Sequence, residues 1–116
     1  MLKRNNLQDA YIRPVVYAPA NMSFVVNTQS FLVIEVWEMQ PFLGDKLLSV
    51  MTSSFQRPNP KGFKIHAKAA GHYVNSILAS QEAKAAGFDE ALLTDMNGNV
   101  AEGPGANLFY EKDGKL

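Results

Sequence analysis

The chain has 116 residues, 47% of them hydrophobic, with 11 basic and 11 acidic side chains and no cysteine. That is the length of an ordinary domain with enough apolar residues for a core. The balanced charge argues against a nucleic-acid or anionic-membrane surface, and the missing cysteines exclude a disulfide-built scaffold and a cysteine-ligated metal site.

The first residues, Met1 to Asn6, are basic but lead into no apolar segment, so no secretory signal is expected. Apolar runs such as Phe31 to Ile34 fall far short of a membrane span, and a cytoplasmic protein is expected. Tyr11 to Tyr17 is rich in β-branched and aromatic residues and predicts a strand, with Pro14 marking an edge or a bulge. Met22 to Val26 predicts a short strand, and Phe31 to Trp37 a buried one. Met39 to Gly44 breaks the pattern and predicts a linker. Leu47 to Thr52 is the next predicted strand, and Ser53 to Lys64, with two prolines and a glycine, a long loop of the kind that often carries function.

A helix is expected from about Ala69 to Ala86, ending at Gly87, with Val74, Ile77, Leu78 and Ala85 as its inner stripe. Ala91 to Thr94 predicts a strand, Asn97-Gly98 a hairpin turn, and Val100-Ala101 and Leu108 to Glu111 further strands. The closing residues, Phe109 to Leu116, predict one arm of a hairpin and only the start of the other, so a longer polypeptide is expected.

Chemistry concentrates between Lys68 and Asn107. Lys68 and Tyr73 are five apart, about 140° around a continuous helix, so they can face one site only if Lys68 sits at or before the first turn. A lysine amine captures aldehyde cofactors and then moves protons. A tyrosine hydroxyl can bond a cofactor's phenolic oxygen, and a carboxylate such as Glu102 can pair with a protonated ring nitrogen. Gly103 and Gly105 would give the backbone φ values closed to other residues. On residue type alone the plainer readings prevail: Lys68 as a solvated charge, Tyr73 as a packing aromatic, Glu102-Gly103-Pro104-Gly105 as a surface turn. His66 and His72 have no obvious third partner, so no metal site is expected. Gly103-Pro104-Gly105 matches neither a phosphate loop nor a dinucleotide loop.

Three segments shift that balance. Ala10-Tyr11-Ile12-Arg13-Pro14, Ala67-Lys68-Ala69-Ala70-Gly71-His72-Tyr73-Val74-Asn75-Ser76, and Asp95 to Phe109 closely resemble the branched-chain amino acid aminotransferases of the class IV aminotransferase family. The resemblance covers nearly the whole chain. Its most specific part is Lys68 followed 34 residues later by Glu102 in a Glu-Gly-x-x-x-Asn-Leu-Phe setting.

The resemblance implies part of an α/β (α+β) fold-type IV enzyme dependent on pyridoxal 5′-phosphate, two-domain with an interdomain cleft. Residues 1–40 would be the end of the small domain, 41–46 the linker and 47–116 the first part of the large, cofactor-binding domain. It implies transamination between leucine, isoleucine or valine and 2-oxoglutarate, by a homodimer of amino-acid biosynthesis that takes amino acids and 2-oxo acids. Lys68 would be the catalytic, cofactor-bonded lysine. Tyr73 would lie at the cofactor's phenolic oxygen and Glu102 at its ring nitrogen, with Tyr11, Arg13 and Phe42 near the substrate. Phe42 stands where many relatives carry tyrosine, and His72 where asparagine is commoner, with a capping or core role expected for it. The family's phosphate-gripping arginine would precede position 1. A D-amino acid aminotransferase, an aminodeoxychorismate lyase and an inactive binding or assembly piece are the alternatives.

Overall fold

The computed structural model describes residues 1–40 and 43–116, in two compact units, Met1–Lys46 and Leu47–Leu116. The expected substrate-side Phe42 lies outside the described residues.

In the first unit, a 3-10 turn at Leu2–Asn5 precedes a two-stranded antiparallel ribbon of β1 (Tyr11–Tyr17) and β2 (Phe31–Trp37). Pairing runs from Tyr11 opposite Trp37 to Tyr17 opposite Phe31 without a bulge. Aromatic pairs close both ends, Tyr11 with Trp37 at 4.9 Å and Tyr17 with Phe31 at 5.3 Å between ring centres. Each pair adds about 0.5–1.5 kcal/mol beyond burial. In a ribbon of two strands each strand is an edge, which is why Pro14 is tolerated opposite Ile34. The expected burial of Phe31 to Trp37 is not met: most of its side chains stay exposed, because only β1 is paired to it.

The predicted strand at Met22 to Val26 is instead a series of bends. Asn21 explains it. Its Oδ1 accepts from the Ser23 N–H (2.9 Å) and hydroxyl (2.7 Å), and its Nδ2 donates to the Val25 carbonyl (3.0 Å). Such local side-chain bonds outcompete a strand that lacks a pairing partner.

The second unit is a β–α–β unit with an added strand. β3 (Val50–Gln56) runs parallel to β4 (Glu90–Thr94), α1 (Tyr73–Ala85) connects them, and β5 (Val100–Glu102) pairs antiparallel with β4. β3 begins and ends later than predicted. Asp89 Oδ2 takes the Ser49 N–H at 2.9 Å and hydroxyl at 2.7 Å, tying off the segment before Val50. At the far end, Thr52 faces Leu92 but Gln56 faces Thr94, so β3 carries two extra residues. Glu82 of α1 fills that bulge. Its carboxylate accepts from the Ser53 hydroxyl, the Ser54 N–H (2.9 Å) and the Ser54 hydroxyl (2.5 Å). The polar run that predicted a loop is thereby held as a strand.

α1 starts later than expected. Ala69 is extended and Ala70–His72 form a 3-10 turn before the α-helix. The C-terminus is as predicted. Phe88 N–H reaches the Ala83 carbonyl (2.9 Å), Gly87 N–H the Lys84 carbonyl (3.1 Å), and Gly87 adopts φ +85°. These are the paired bonds of a Schellman ending, which needs the glycine. The inner stripe differs from the prediction. Ser76, Ala79 and Ala83 are buried, whereas Val74 and Ile77 are each 55% exposed. Small side chains let the helix approach β3 and β4 closely, where it meets Ala91 and the fully buried Leu93.

The Asp95–Asn99 turn joins β4 to β5. Gly98 N–H bonds the Asp95 carbonyl (3.1 Å), Asp95 N–H bonds the Asn99 carbonyl (2.8 Å), and Gly98 has φ +84°. With Gly98 but not Asn97 left-handed, this is a type I turn closed by a glycine bulge rather than a two-residue primed turn. The predicted strand at Leu108 to Glu111 is absent, since no neighbouring strand is available to it among the described residues. Only a Lys112–Lys115 bridge closes the last turn.

The hydroxyls and N–H that Glu82 accepts hold its carboxyl below the ordinary value of 4.5, the Ser53 hydroxyl being the largest cause. A lowered folded value gives stability that is complete above pH 4.5 and is lost as pH falls through the folded value. In urea titrations the wild-type midpoint therefore falls on acidification more than that of Glu82→Gln, and the gap between the two narrows as pH falls below the ordinary carboxylate range. A constant gap between them would contradict this role for Glu82.

Candidate active site

The extended residue Ala69 and the 3-10 turn place Lys68 before α1, while Tyr73 opens the helix. This meets the geometric condition for the pair. Lys68 Nζ donates to the Tyr73 hydroxyl oxygen at 2.8 Å and lies 5.4 Å from the ring centre. Tyr73 is 37% exposed, so its hydroxyl remains reachable. Because that oxygen already accepts from the ammonium, its own O–H is left to donate outward.

His72 is the residue before the first turn of α1, but its side chain makes no capping bond. Its ring meets Phe63 edge-on at 5.6 Å, so the packing alternative is the one observed. Among the described residues no group of three His, Cys, Asp or Glu side chains could hold a metal, and no helix is long and apolar enough to cross a membrane.

Glu102 ends β5 opposite Leu93, beside the carboxyl ends of the parallel strands β3 and β4. That edge of an open α/β sheet is where ligands commonly bind. Glu102 Oε1 forms an ion pair with Arg57 Nε at 2.8 Å, with the two side chains 33% and 27% exposed. Oε2 makes no hydrogen bond among the described residues. The pair borders a cavity of about 430 Å³ whose walls include Pro60, Ile65, Asp95 and Met96. Lys68 and Tyr73 do not line it. A larger opening of about 1020 Å³ in the first unit touches Tyr11 and Glu38 and is a broad surface hollow.

Arg57 was not singled out in the sequence. Its signal was a lone arginine directly before Pro58 in the polar run after β3. The Asp95 carboxylate sits next to the cavity and is held below its ordinary value of 3.8, chiefly by the Asn99 side-chain amide (3.1 Å) and the Asn99 N–H (2.9 Å). Gly103 is not left-handed, contrary to expectation. Its missing Cβ matters for space instead: a Cβ there would lie 3.3 Å from the Ala106 carbonyl oxygen, to which Gly103 N–H bonds at 2.9 Å.

In the first unit, Arg13 faces Glu35 across the ribbon, with Nε 4.0 Å from Oε2 and both side chains mostly exposed. Exposed pairs of this kind contribute about 0–1 kcal/mol and leave the guanidinium available. Tyr11 packs on Trp37 and is 47% exposed.

The sequence and the fold have clear relatives. The branched-chain-amino-acid aminotransferase of Pseudomonas aeruginosa is 40% identical over 121 residues, covering 99% of this chain and 39% of that protein. The Salmonella typhimurium enzyme of the same name is 36% identical over 124 residues, covering 100% of this chain and 40% of the relative. The chain thus spans about 40% of the length of the curated relatives it matches. Among solved structures, the Escherichia coli branched-chain amino acid aminotransferase matches with a TM-score of 0.89 at 33% identity, over 97% of this chain and 40% of that one. The branched-chain amino acid aminotransferase of Thermobaculum terrenum, solved in its holo form with pyridoxal phosphate, matches with a TM-score of 0.78 at 34% identity, over 90% of this chain and 35% of that one. Both are fold-type IV enzymes, and this chain has part of that fold. The profile described as amino-transferase class IV matches residues 1–116, and the chain belongs to that family.

Proposed function

We propose that this chain carries the lysine-bearing part of a pyridoxal 5′-phosphate-dependent aminotransferase. Its reaction moves the amino group of L-leucine, L-isoleucine or L-valine to 2-oxoglutarate. The observation that carries this reading is the 2.8 Å contact between Lys68 Nζ and the Tyr73 hydroxyl. It joins a primary amine to a phenol in a family of aminotransferases. The donor set suits the cofactor: an amine for its aldehyde, an outward O–H for its phenolic oxygen, and a carboxylate oxygen with no hydrogen-bond partner among the described residues for its ring N–H. When bound, pyridoxal phosphate supplies that aldehyde and an electron-withdrawing ring.

The residues then divide the work. Lys68 Nζ would accept the proton that leaves the substrate α-carbon and deliver it to the former aldehyde carbon, with Tyr73 keeping the amine in place. Glu102 Oε2 would accept the ring N–H and hold that proton on the ring. Arg13, with its guanidinium only loosely paired to Glu35, is suited to a substrate carboxylate, and the family resemblance makes Tyr11 and Phe42 candidates for substrate binding. The same reading makes the protein a cytoplasmic homodimer, with residues 41–46 linking a small domain to the cofactor-binding one.

A single-turnover panel tests the substrate class. The cofactor-loaded protein is mixed with one amino acid at a time, and loss of its visible absorbance is followed. Conversion by L-leucine, L-isoleucine and L-valine is expected to outpace D-alanine by at least about 100-fold, the scale of a pocket that excludes one hand. Faster conversion by D-alanine, or pyruvate release from aminodeoxychorismate, would replace this reading with one of its family alternatives.

A further inference from the structure

Arg57 has no part in the function as proposed, yet its place is unusually well determined. Its N–H bonds the Thr94 carbonyl at 2.9 Å. The residue before it, Gln56, is fixed through its carbonyl by Asn75 Nδ2 at 2.9 Å. The residue after it, Pro58, is buried and confines Arg57 to extended backbone. The β3 bulge that brings the strand to this register is held by Glu82.

Glu102 is less well anchored. It ends a three-residue strand whose pairing with β4 shifts register between Leu93 and Thr94. A glutamate has three rotatable side-chain bonds, and one third of this one is exposed. Arg57 Nε at 2.8 Å is its single side-chain partner among the described residues. Charge-assisted bonds of this kind are short and directional.

We infer that Arg57 is a positioning residue for Glu102: it pins Oε1 so that Oε2 is presented, in one orientation, to a ring N–H donor. This rests on the reading of Glu102 as the partner of the cofactor ring nitrogen. The Asn75 and Glu82 bonds give the support behind Arg57. The arrangement parallels that of a metal-ligating side chain oriented by an outer partner, where loss of the partner costs about 10–100-fold in affinity or activity.

The test uses the cofactor-loaded protein with Arg57→Gln, Arg57→Lys, Glu102→Gln and the Arg57→Gln/Glu102→Gln double variant. Arg57→Gln is expected to slow the proton-transfer half-reaction about 10–100-fold, with amino-acid KM changed less than about threefold. It should also shift the ring signal of ¹⁵N-labelled cofactor. Arg57→Lys should recover part of both. In the Glu102→Gln background the further change to Gln at position 57 should have no effect, because Arg57 acts only through that carboxylate.

An additive loss in the double variant, or an unmoved ring ¹⁵N signal in Arg57→Gln, would overturn the inference. Borohydride trapping at Lys68 separates this from failure of the underlying site. No adduct at Lys68 in the wild type sinks the site reading itself. An adduct with an unmoved ring signal sinks only the role of Arg57. Should Arg57→Gln not fold, the Arg57 Nε–H resonance of the cofactor-free protein decides: it must move in Glu102→Gln, and no movement overturns the pair.

Discussion

Replacing Lys68 with alanine is expected to abolish the proposed amino-group transfer, a fall of at least about 10⁴-fold. The expectation follows from the division of labour at the site. On the proposed reading Lys68 would supply both the amine that captures the cofactor and the base that moves the substrate proton, so one substitution would remove two functions. The neighbouring Tyr73, whose hydroxyl oxygen takes the Lys68 N–H at 2.8 Å, cannot replace either. Tyr73→Phe keeps the ring and removes only that hydroxyl, so it should cost far less, about 10-fold, the scale of a lost hydrogen bond. Both are read as steady-state turnover with L-leucine and 2-oxoglutarate. Near-normal turnover in Lys68→Ala would end the assignment.

Leu93→Ala is expected to be the most destabilising single core substitution, by about 2–5 kcal/mol. Among the described residues, Leu93 is the one large side chain that is fully buried. It packs with Ala79, Ala83 and Ala91, with Met51 and Phe55 against the same cluster. With three of its buried neighbours already alanines, little is left to collapse into the space. By contrast Ile77, 55% exposed on α1, should cost under about 1 kcal/mol when truncated. Urea unfolding checks both, and equal effects would mean that the helix packs through its larger apolar residues after all. Leu93 is also the β4 residue opposite Glu102, so its loss should loosen the carboxylate as well as the core.

Local features were the legible part of this chain. The bounds of β1 and β2 coincide with the runs Tyr11 to Tyr17 and Phe31 to Trp37, since β-branched and aromatic side chains are dense there and polar turns flank them. Gly87 marked the helix end because only a left-handed residue closes that turn. The five-residue spacing of Lys68 and Tyr73 named the one backbone condition under which they could meet, and the extended Ala69 satisfies it.

The features that depend on distant residues were not legible. Ser53 to Gln56 is polar enough to predict a loop, and only Glu82, 28 residues beyond Ser54, holds it as strand. Met22 to Val26 has strand-like residues but no partner strand among the described residues, so Asn21 wins. The helix stripe was misread because hydrophobicity favours Val74 and Ile77, whereas close packing on a sheet favours Ser76, Ala79 and Ala83. Arg57 was missed for the same reason. It lies 45 residues from Glu102, and only the bulged register of β3 on β4 brings them to 2.8 Å.

The most direct measurement is the intact mass after incubation with pyridoxal phosphate and borohydride, followed by peptide mapping. Borohydride reduces the bond between lysine and cofactor and makes it permanent. The account predicts one adduct per chain, confined to the peptide that contains Lys68. No adduct, or adducts spread over the other lysines, would contradict it.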